Sequence, residues 1–255
     1  MNFETLKVNF QEQICFIQLY RPQAMNSINQ KMIEEFHKVL DMCEEKITVV
    51  VVEGLPEVFC FGADFQEIHD GIKNNEETGT VNQELLYDLW LRLASGPYVT
   101  ISHVRGKANA GGVGFIAACD MVIADKTAQF SLSELLFGLY PACVLPFLIR
   151  RVGFQKANYL TLMTNPVLVE QAFSWGLVDA FDTQSQQLLG KHLMRLRYLP
   201  KTGITRYKRY ISSLYNMLEK SKDMAVAANR EVFLDPRNLD GIFRYMETGK
   251  FMWMD

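Results

Sequence analysis

The chain contains 255 residues, of which 49% are hydrophobic and 22% are charged, and its net charge is −3. These values are typical of a globular protein with one substantial α/β core and room for a small helical appendage. The small negative charge excludes a strong electrostatic attraction to nucleic acid or to an anionic membrane. No apolar run is long enough to span a bilayer, and residues 1–9 lack the apolar segment of a signal peptide, so we expect a cytoplasmic protein.

The cysteines give no sign of a disulfide framework or a zinc site. They are odd in number, lie far apart and form no Cys-x-x-Cys pair, which is typical of reduced thiols in the cytosol. We therefore expect neither a disulfide nor a metal. The five are Cys15, Cys43, Cys60, Cys119 and Cys143.

The first eighty residues predict a strand pair, then a helix, a buried strand and a second helix. The strand pair covers 5–9 and 14–19, and an apolar face with helical spacing begins at Gln30. The continuous β-branched run at 47–52 predicts a strand that is covered on both faces. A helix is predicted at 64–72, and the polar stretch at 73–82 favours a mobile loop beside the site.

The rest of the chain alternates strands with helices and then becomes helical. This order predicts an α/β fold with a βαβ-type core and a C-terminal helical segment, without internal repeats. The predicted strands are 98–104, 121–124 and 128–130. The predicted helices are 84–93, 112–119, 144–152, 154–164, 168–175, 185–198 and 204–230.

Two glycine-containing turns, each at the end of a predicted strand, carry most of the chemical information. They lie in the stretches Phe-Cys-Phe-Gly-Ala-Asp at 59–64 and Gly-Lys-Ala-Asn-Ala-Gly-Gly-Val-Gly at 106–114. A turn without a Cβ lets a backbone N–H approach a ligand closely, and two such groups aimed at one point form an oxyanion hole. Glu134 follows twenty residues later among apolar neighbours. Two donors and one partly desolvated carboxylate suffice for proton chemistry next to a thioester.

Six motifs in register resemble the enoyl-CoA hydratase/isomerase (crotonase) superfamily over nearly the whole chain. They occupy 21–26, 59–64, 106–112, 119–124, 128–130 and 176–178. The runs at 53–67 and 130–146 are most similar to the polyketide branch of this superfamily. Members of that branch are β-branching dehydratases that act on 3-hydroxy-3-methylglutaryl groups carried by an acyl carrier protein.

The resemblance implies a crotonase-type spiral of ββα repeats with a C-terminal helical trimerisation region, assembled as a trimer or hexamer. We place the spiral core at 1–195 and the helical region at 196–255. The resemblance also implies that the thioester oxygen lies between the N–H groups of Ala63 and Gly111, with Glu134 as the catalytic acid. The second glutamate of the fatty-acid hydratases falls on Gly114, which has no side chain.

We therefore expect a dehydratase without a cofactor, whose substrate is an acyl group on the phosphopantetheine of a carrier protein or on CoA. Glu134 would remove the C2 proton and then protonate the departing C3 hydroxyl. The substrate-binding residues expected from the resemblance are Met25, Phe61, Gly62, Gly112 and Tyr140.

Three other functions stay open at this point. A decarboxylase of the same branch would use the oxyanion hole without needing Glu134. An enoyl-CoA isomerase also needs one carboxylate. A non-catalytic acyl-carrier binding module would explain the missing second glutamate, but it would need neither Glu134 nor the two turns.

Several polar residues near the motifs have simpler explanations. Asp64 is typical of a helix N-cap, and we expect His69 at the surface and His103 at the edge of the core. Cys60 is the thiol most worth testing, because it lies three residues before the first turn. The candidates for contacts with a carrier protein are Lys73, Arg105, Lys107, Lys126, Arg244 and Lys250.

Overall fold

The structure, a computed structural model, describes residues 3–73, 81–251 and 254, and in this part of the chain the strands form two sheets. The strands are β1 Leu6–Gln11, β2 Ile14–Leu19, β3 Val49–Glu53, β4 Val58–Cys60, β5 Val99–Val104, β6 Lys107–Asn109, β7 Met121–Asp125, β8 Gln129–Ser131, β9 Val167–Leu168 and β10 Ala180–Asp182.

The helices cover both faces of the larger sheet and dominate the C-terminal part. They are α1 Gln30–Cys43, α2 Phe65–Lys73, α3 Gln83–Ser95, α4 Gly111–Ala118, α5 Leu145–Met163, α6 Val169–Ser174, α7 Ser185–Leu196, α8 Lys201–Leu214, α9 Met217–Leu234 and α10 Pro236–Thr248. Two 3-10 helices occupy Pro22–Ala24 and Glu134–Phe137.

The sheets are built from a repeated unit in which two successive strands enter different sheets. The larger sheet has the order β1-β2-β3-β5-β7-β10, and the smaller one has the order β4-β6-β8-β9. In each of three pairs of successive strands, the first strand joins the larger sheet and the second joins the smaller one, and a helix follows. These pairs are β3 and β4, β5 and β6, and β7 and β8. The expected spiral of ββα units is therefore confirmed, and it places the carboxyl ends of β4, β6 and β8 side by side.

The buried strand β3 shows why the larger sheet needs helices on both faces. Val50 and Val52 belong to the main core, whereas Val49 and Val51 pack in a second core with Leu189 of α7. Successive side chains of a strand point to opposite faces, so an unbroken β-branched run is stable only between two apolar layers.

The helical tail folds back onto the core, and it is divided into more helices than predicted. The predicted helix at 204–230 is wrong as a single unit, because Tyr215 leaves helical geometry and separates α8 from α9. The predicted break near residue 153 is confirmed, since Gly153 has φ 75° inside α5. The predicted mobile loop at 73–82 falls mostly outside the described residues.

The last helix closes over the region that follows the first glycine turn. Five buried apolar residues, here called the tail cluster, join α2, the second 3-10 helix and the tail. It comprises Ile68, Phe137, Leu139, Val232 and Ile242. Within the described ranges, no helix combines the length and apolar character needed to cross a membrane.

Candidate active site

The two predicted glycine turns lie against each other. Gly62 has φ +94°, and a Cβ placed on it would come 2.6 Å from the Cβ of Ala110 and 3.3 Å from the backbone N of Gly111. Both the left-handed backbone and the lack of space require glycine at this position. The two turns, which are about fifty residues apart in sequence, therefore form one continuous surface.

The first turn is held by a short parallel bridge that leaves one N–H between its bonds. Ile28 N–H donates to Gly62 O at 2.7 Å, and Asp64 N–H donates to Ile28 O at 3.2 Å. The N–H of Ala63, between them, takes no part in either bond. This arrangement fixes the Ala63 peptide while keeping its N–H for another acceptor.

Asp64 stabilises the turn from the other side. Its Oδ1 accepts hydrogen bonds from the backbone N–H groups of Gln66 and Glu67, and its Oδ2 forms an ion pair with Arg21 at 2.8 Å. The predicted N-cap role of Asp64 is confirmed. The Arg21 side chain also donates to Ser27 O, so it links the first turn to the segment before α1.

The second turn presents the N-terminus of α4. Ala110 has φ 51° and ψ −124°, a sparsely populated conformation for a residue with a side chain. It directs the chain into α4, so that Gly111 supplies the first N–H of the helix, which has no intrahelical acceptor. The partial positive charge of the helix N-terminus adds to this donor and favours an oxyanion.

Glu134 begins the 3-10 helix that follows β8, and its carboxyl group is buried. The residue is 9% exposed, and its Oε2 has no hydrogen-bond partner among the described residues. Burial raises the pKa of Glu134 to about 7. A carboxyl with this pKa can accept and return a proton near neutral pH, as general acid–base catalysis requires.

Asn109 connects the second turn to the segment that carries Glu134. Its Nδ2 donates to Ser133 Oγ at 2.8 Å, and its Oδ1 accepts from Ser131 Oγ at 2.8 Å. A third bond joins Ala110 N–H to Ser131 O at 3.0 Å. Together these bonds fix Glu134 relative to the Gly111 N–H. Although Asn109 lies inside the motif of the second turn, the sequence pattern alone does not indicate these bonds.

Gly114, where the sequence resemblance places the second glutamate of the hydratases, is covered by Trp90. A Cβ on Gly114 would lie 2.5 Å from Cζ2 and 2.6 Å from Cη2 of the Trp90 ring. Trp90 is 1% exposed, and its indole N–H has no partner within the described part of the chain. No local signal identified Trp90, because it lies in an ordinary apolar stripe of α3.

The expected substrate-binding residues differ in their exposure and packing. Met25 and Phe61 are exposed, at 53% and 37%, while Tyr140 packs on the tail cluster. Gly112 lies against β4, where a Cβ would come 2.3 Å from Cys60 O, so packing alone requires glycine there. Substrate contact at these four positions and at Gly62 stays a prediction.

Both histidine predictions are corrected by the structure. His69 is buried rather than at the surface, because its ring stacks on Phe243 of α10 at 4.6 Å. His103 is fully buried rather than at the edge of the core, and it hydrogen-bonds Glu53 and Ser185.

All five cysteines are buried, and none of them forms a disulfide in the structure. Burial raises the pKa of Cys60 to about 12, which makes this thiol unreactive.

Comparison with protein families and known proteins gives a consistent result. The family model for enoyl-CoA hydratase/isomerase matches residues 9–255. The bacillaene synthase dehydratase PksH of Bacillus subtilis is 59% identical over 256 aligned residues, covering 100% of this chain and 98% of that protein. The 2,3-dehydroadipyl-CoA hydratase of Escherichia coli is 30% identical over 177 residues, covering 68% of each chain.

Solved structures agree with these sequence comparisons. A crystal structure described as a polyketide biosynthesis enoyl-CoA hydratase from Bacillus subtilis superposes with a TM-score of 0.96 at 59% identity, covering 98% of this chain and 100% of the other. An enoyl-CoA hydratase from Bacillus halodurans has a TM-score of 0.84 at 18% identity, covering 94% and 99%. The second likeness concerns the fold alone.

Proposed function

Because the chain belongs to the enoyl-CoA hydratase/isomerase family and is a hydro-lyase, we propose that it dehydrates a 3-hydroxy-3-methylglutaryl thioester carried by an acyl carrier protein. The product would be the 3-methylglutaconyl thioester. The similarity to a dehydratase of bacillaene synthase at 59% identity supports polyketide biosynthesis as the setting.

The observation that carries the proposal is the state of the Glu134 carboxyl. Its pKa of about 7 and its unpartnered oxygen suit a group that first takes a proton and then returns it. A carboxyl with only a structural role would have its hydrogen-bonding capacity satisfied.

In the proposed mechanism the backbone N–H groups of Ala63 and Gly111 bind the thioester oxygen. They stabilise the enolate that forms when Glu134 removes a proton from C2; losing one such donor typically costs about a hundredfold in rate. The electron pair then forms the C2–C3 double bond while the C3–O bond breaks. Glu134 returns the proton to the departing hydroxyl, which leaves as water.

A single carboxylate can serve both steps when the proton and the hydroxyl leave from the same face. The hydroxyl of the branched substrate is tertiary, and it departs more readily than a secondary one. This difference makes the absence of a carboxylate at Gly114 compatible with dehydration.

Intact-mass analysis of the hydroxymethylglutaryl-loaded carrier protein tests the proposal. We expect the acyl group to lose the mass of one water molecule. Loss of carbon dioxide would instead identify a decarboxylase, and an unchanged mass with tight binding would identify a carrier-binding module. An enoyl-CoA isomerase would leave this substrate unchanged and shift the double bond of an enoyl-CoA.

We further propose that the acyl group is recognised on a carrier protein in preference to CoA. The chain is negatively charged overall, so attraction to an acidic carrier requires a local basic patch. Arg244 on α10 is exposed, and Lys73 lies on the adjacent α2 with its side chain 51% exposed. Both lie on helices that contribute residues to the tail cluster, and α2 directly follows the first glycine turn.

Two charge reversals would test the carrier surface. Arg244→Glu should lower kcat/KM for the carrier-bound substrate several-fold and leave the CoA ester unaffected. Lys191→Glu on α7, an exposed lysine on another helix, serves as the matched control. Equal efficiency on both substrates, without a salt effect, would indicate a free CoA-ester dehydratase.

The exposed apolar side chains of α8 support a trimer or a dimer of trimers. Tyr207, Tyr210 and Leu214 are each 62% exposed. An apolar stripe of this kind on a soluble helix is typical of a covered interface. Light scattering after gel filtration should give three or six times the mass of the chain, and a monomer would contradict the proposal.

A further inference from the structure

Trp90 is held rigidly beside the second glycine turn by aromatic neighbours. Its ring makes edge-to-face contacts with Phe115 at 5.8 Å and with Phe147 at 5.9 Å, at interplanar angles of 80° and 78°. Edge-to-face pairs of this geometry stabilise a ring in one orientation. Because Trp90 is fully buried between them, its ring has little room to move aside.

The six-membered part of this ring covers one face of α4. It would contact a Cβ at Gly114 at 2.5 Å, and its Cη2 lies 3.9 Å from the Cβ position of Gly111. Residues three apart lie on the same face of a helix. The ring edge therefore runs from the Cβ position of Gly111, whose N–H is the proposed oxyanion donor, to the position where a second acidic side chain would project.

We propose that Trp90 is the specificity-determining residue of the dehydration: its ring fills the space of a second carboxylate and restricts the enzyme to substrates whose C3 hydroxyl is tertiary. This inference rests on the proposed function. An apolar ring next to Gly111 excludes water and strengthens the electrostatic effect of the N–H donors. It also leaves a secondary hydroxyl without the acid assistance that such a leaving group needs.

The proposal predicts that Trp90 and position 114 are coupled by size. Gly114→Glu alone should lower dehydration of the branched substrate by about tenfold or more, because the new side chain collides with a locked ring. Trp90→Leu frees approximately the space that the glutamate requires. The double variant Trp90→Leu/Gly114→Glu should therefore recover the thermal stability and the dehydration activity lost in Gly114→Glu.

The functional part of the proposal is tested on an unbranched substrate. Trp90→Leu/Gly114→Glu should dehydrate an unbranched 3-hydroxyacyl thioester at least about tenfold faster than Trp90→Leu/Gly114→Gln, since one added general acid typically contributes a hundredfold or more. The glutamine variant has the same shape without the acid. The pH dependence of kcat/KM should also show a second ionisation in the glutamate variant alone.

Three results would overturn the proposal. The first is that Gly114→Glu folds and dehydrates the branched substrate as well as the wild type does. The second is that the glutamate and glutamine double variants dehydrate the unbranched substrate at equal rates. The third is that the wild-type enzyme shows no preference for the branched substrate. If the double variants do not fold, Gly114→Ala is compared with Trp90→Phe/Gly114→Ala. The proposal is also overturned if adding Trp90→Phe does not restore the dehydration activity that Gly114→Ala loses. Failure of the wild type to dehydrate the branched substrate at all would instead contradict the proposed function.

Discussion

Two buried ionisable sites in this protein look similar at first sight and differ in one physical property. Glu134 follows Ser133, which Asn109 joins to the second glycine turn, and its Oε2 has no hydrogen-bond partner among the described residues. At the carboxyl ends of β3 and β5, Glu53 hydrogen-bonds His103 Nδ1 at 2.7 Å, and His103 Nε2 meets Ser185 Oγ at 3.1 Å. Asp125 accepts a further hydrogen bond from Ser185.

The contacts from Glu53 through His103 to Ser185 follow the order of a catalytic triad. These residues and Asp125 form a closed network, which here means a hydrogen-bonded group without access for a substrate. His103 is fully buried, and Ser185 is 4% exposed, so no substrate reaches the hydroxyl. Burial opposes ionisation of Asp125, yet hydrogen bonds from Thr127 and Ser185 hold the pKa of its carboxyl below its ordinary value. A satisfied buried network stabilises the fold, whereas the unsatisfied buried acid Glu134 is the group that we propose for the reaction.

The largest effect should follow removal of the Glu134 acid. Glu134→Gln is expected to reduce turnover by about a thousandfold while thioester binding changes little, since the glutamine keeps the shape but cannot transfer the proton. A single-turnover assay beside a binding titration measures both. Activity within a few-fold of the wild type would remove Glu134 from the mechanism.

The same substitution should alter stability in a pH-dependent manner. The folded-state pKa of Glu134, about 7, lies above its ordinary value of 4.5, so stability is lost as pH rises through this window. The difference corresponds to about 3 kcal/mol of lost stability above pH ~7. Glu134→Gln should therefore be more stable than the wild type at pH ~8 and show no such advantage at pH ~4. Urea unfolding at both pH values tests this sign.

The rate should follow the ionisation of the same group. Glu134 must be deprotonated to remove the C2 proton, so kcat/KM should rise about tenfold per pH unit below its pKa and level off above about 7. A profile that is flat from pH ~5 to ~8 would contradict the assignment of the base.

The proposed link between the Gly111 N–H and Glu134 can be tested at Asn109. Asn109→Leu has a similar size but cannot hydrogen-bond Ser131 or Ser133, and we expect kcat to fall about tenfold because small displacements of catalytic groups are costly. Ser131→Ala removes only one of the two side-chain bonds and should have a smaller effect. Equal and unchanged kcat for both variants would show that these bonds do not position Glu134.

The smallest effect is expected in the closed network. Ser185→Ala leaves His103 Nε2 without its partner and should lower the free energy of unfolding by about 1–2 kcal/mol. The kcat on the carrier-bound substrate should stay unchanged. A loss of turnover comparable with that of Glu134→Gln would show that the distinction between the two sites is wrong.

The sequence by itself determined the features that depend on local chemistry. The β-branched run predicts a buried strand. Glycine at position 62 is one of the few residue types that tolerate a left-handed turn, and Asp64 caps the helix that follows this turn. The order of the motifs was sufficient to identify the family and the spiral fold, and it led to the prediction that Glu134 is the catalytic acid. These properties depend on residues that are close together in the chain.

Only the tertiary structure decided which distant residues meet. Trp90 lies 24 residues before Gly114, and nothing in either segment indicates that the ring covers the glycine. The pKa of Glu134 and the burial of His69 likewise depend on elements packed from elsewhere in the chain. Side-chain packing and desolvation depend on the whole fold, so a local sequence pattern does not predict them.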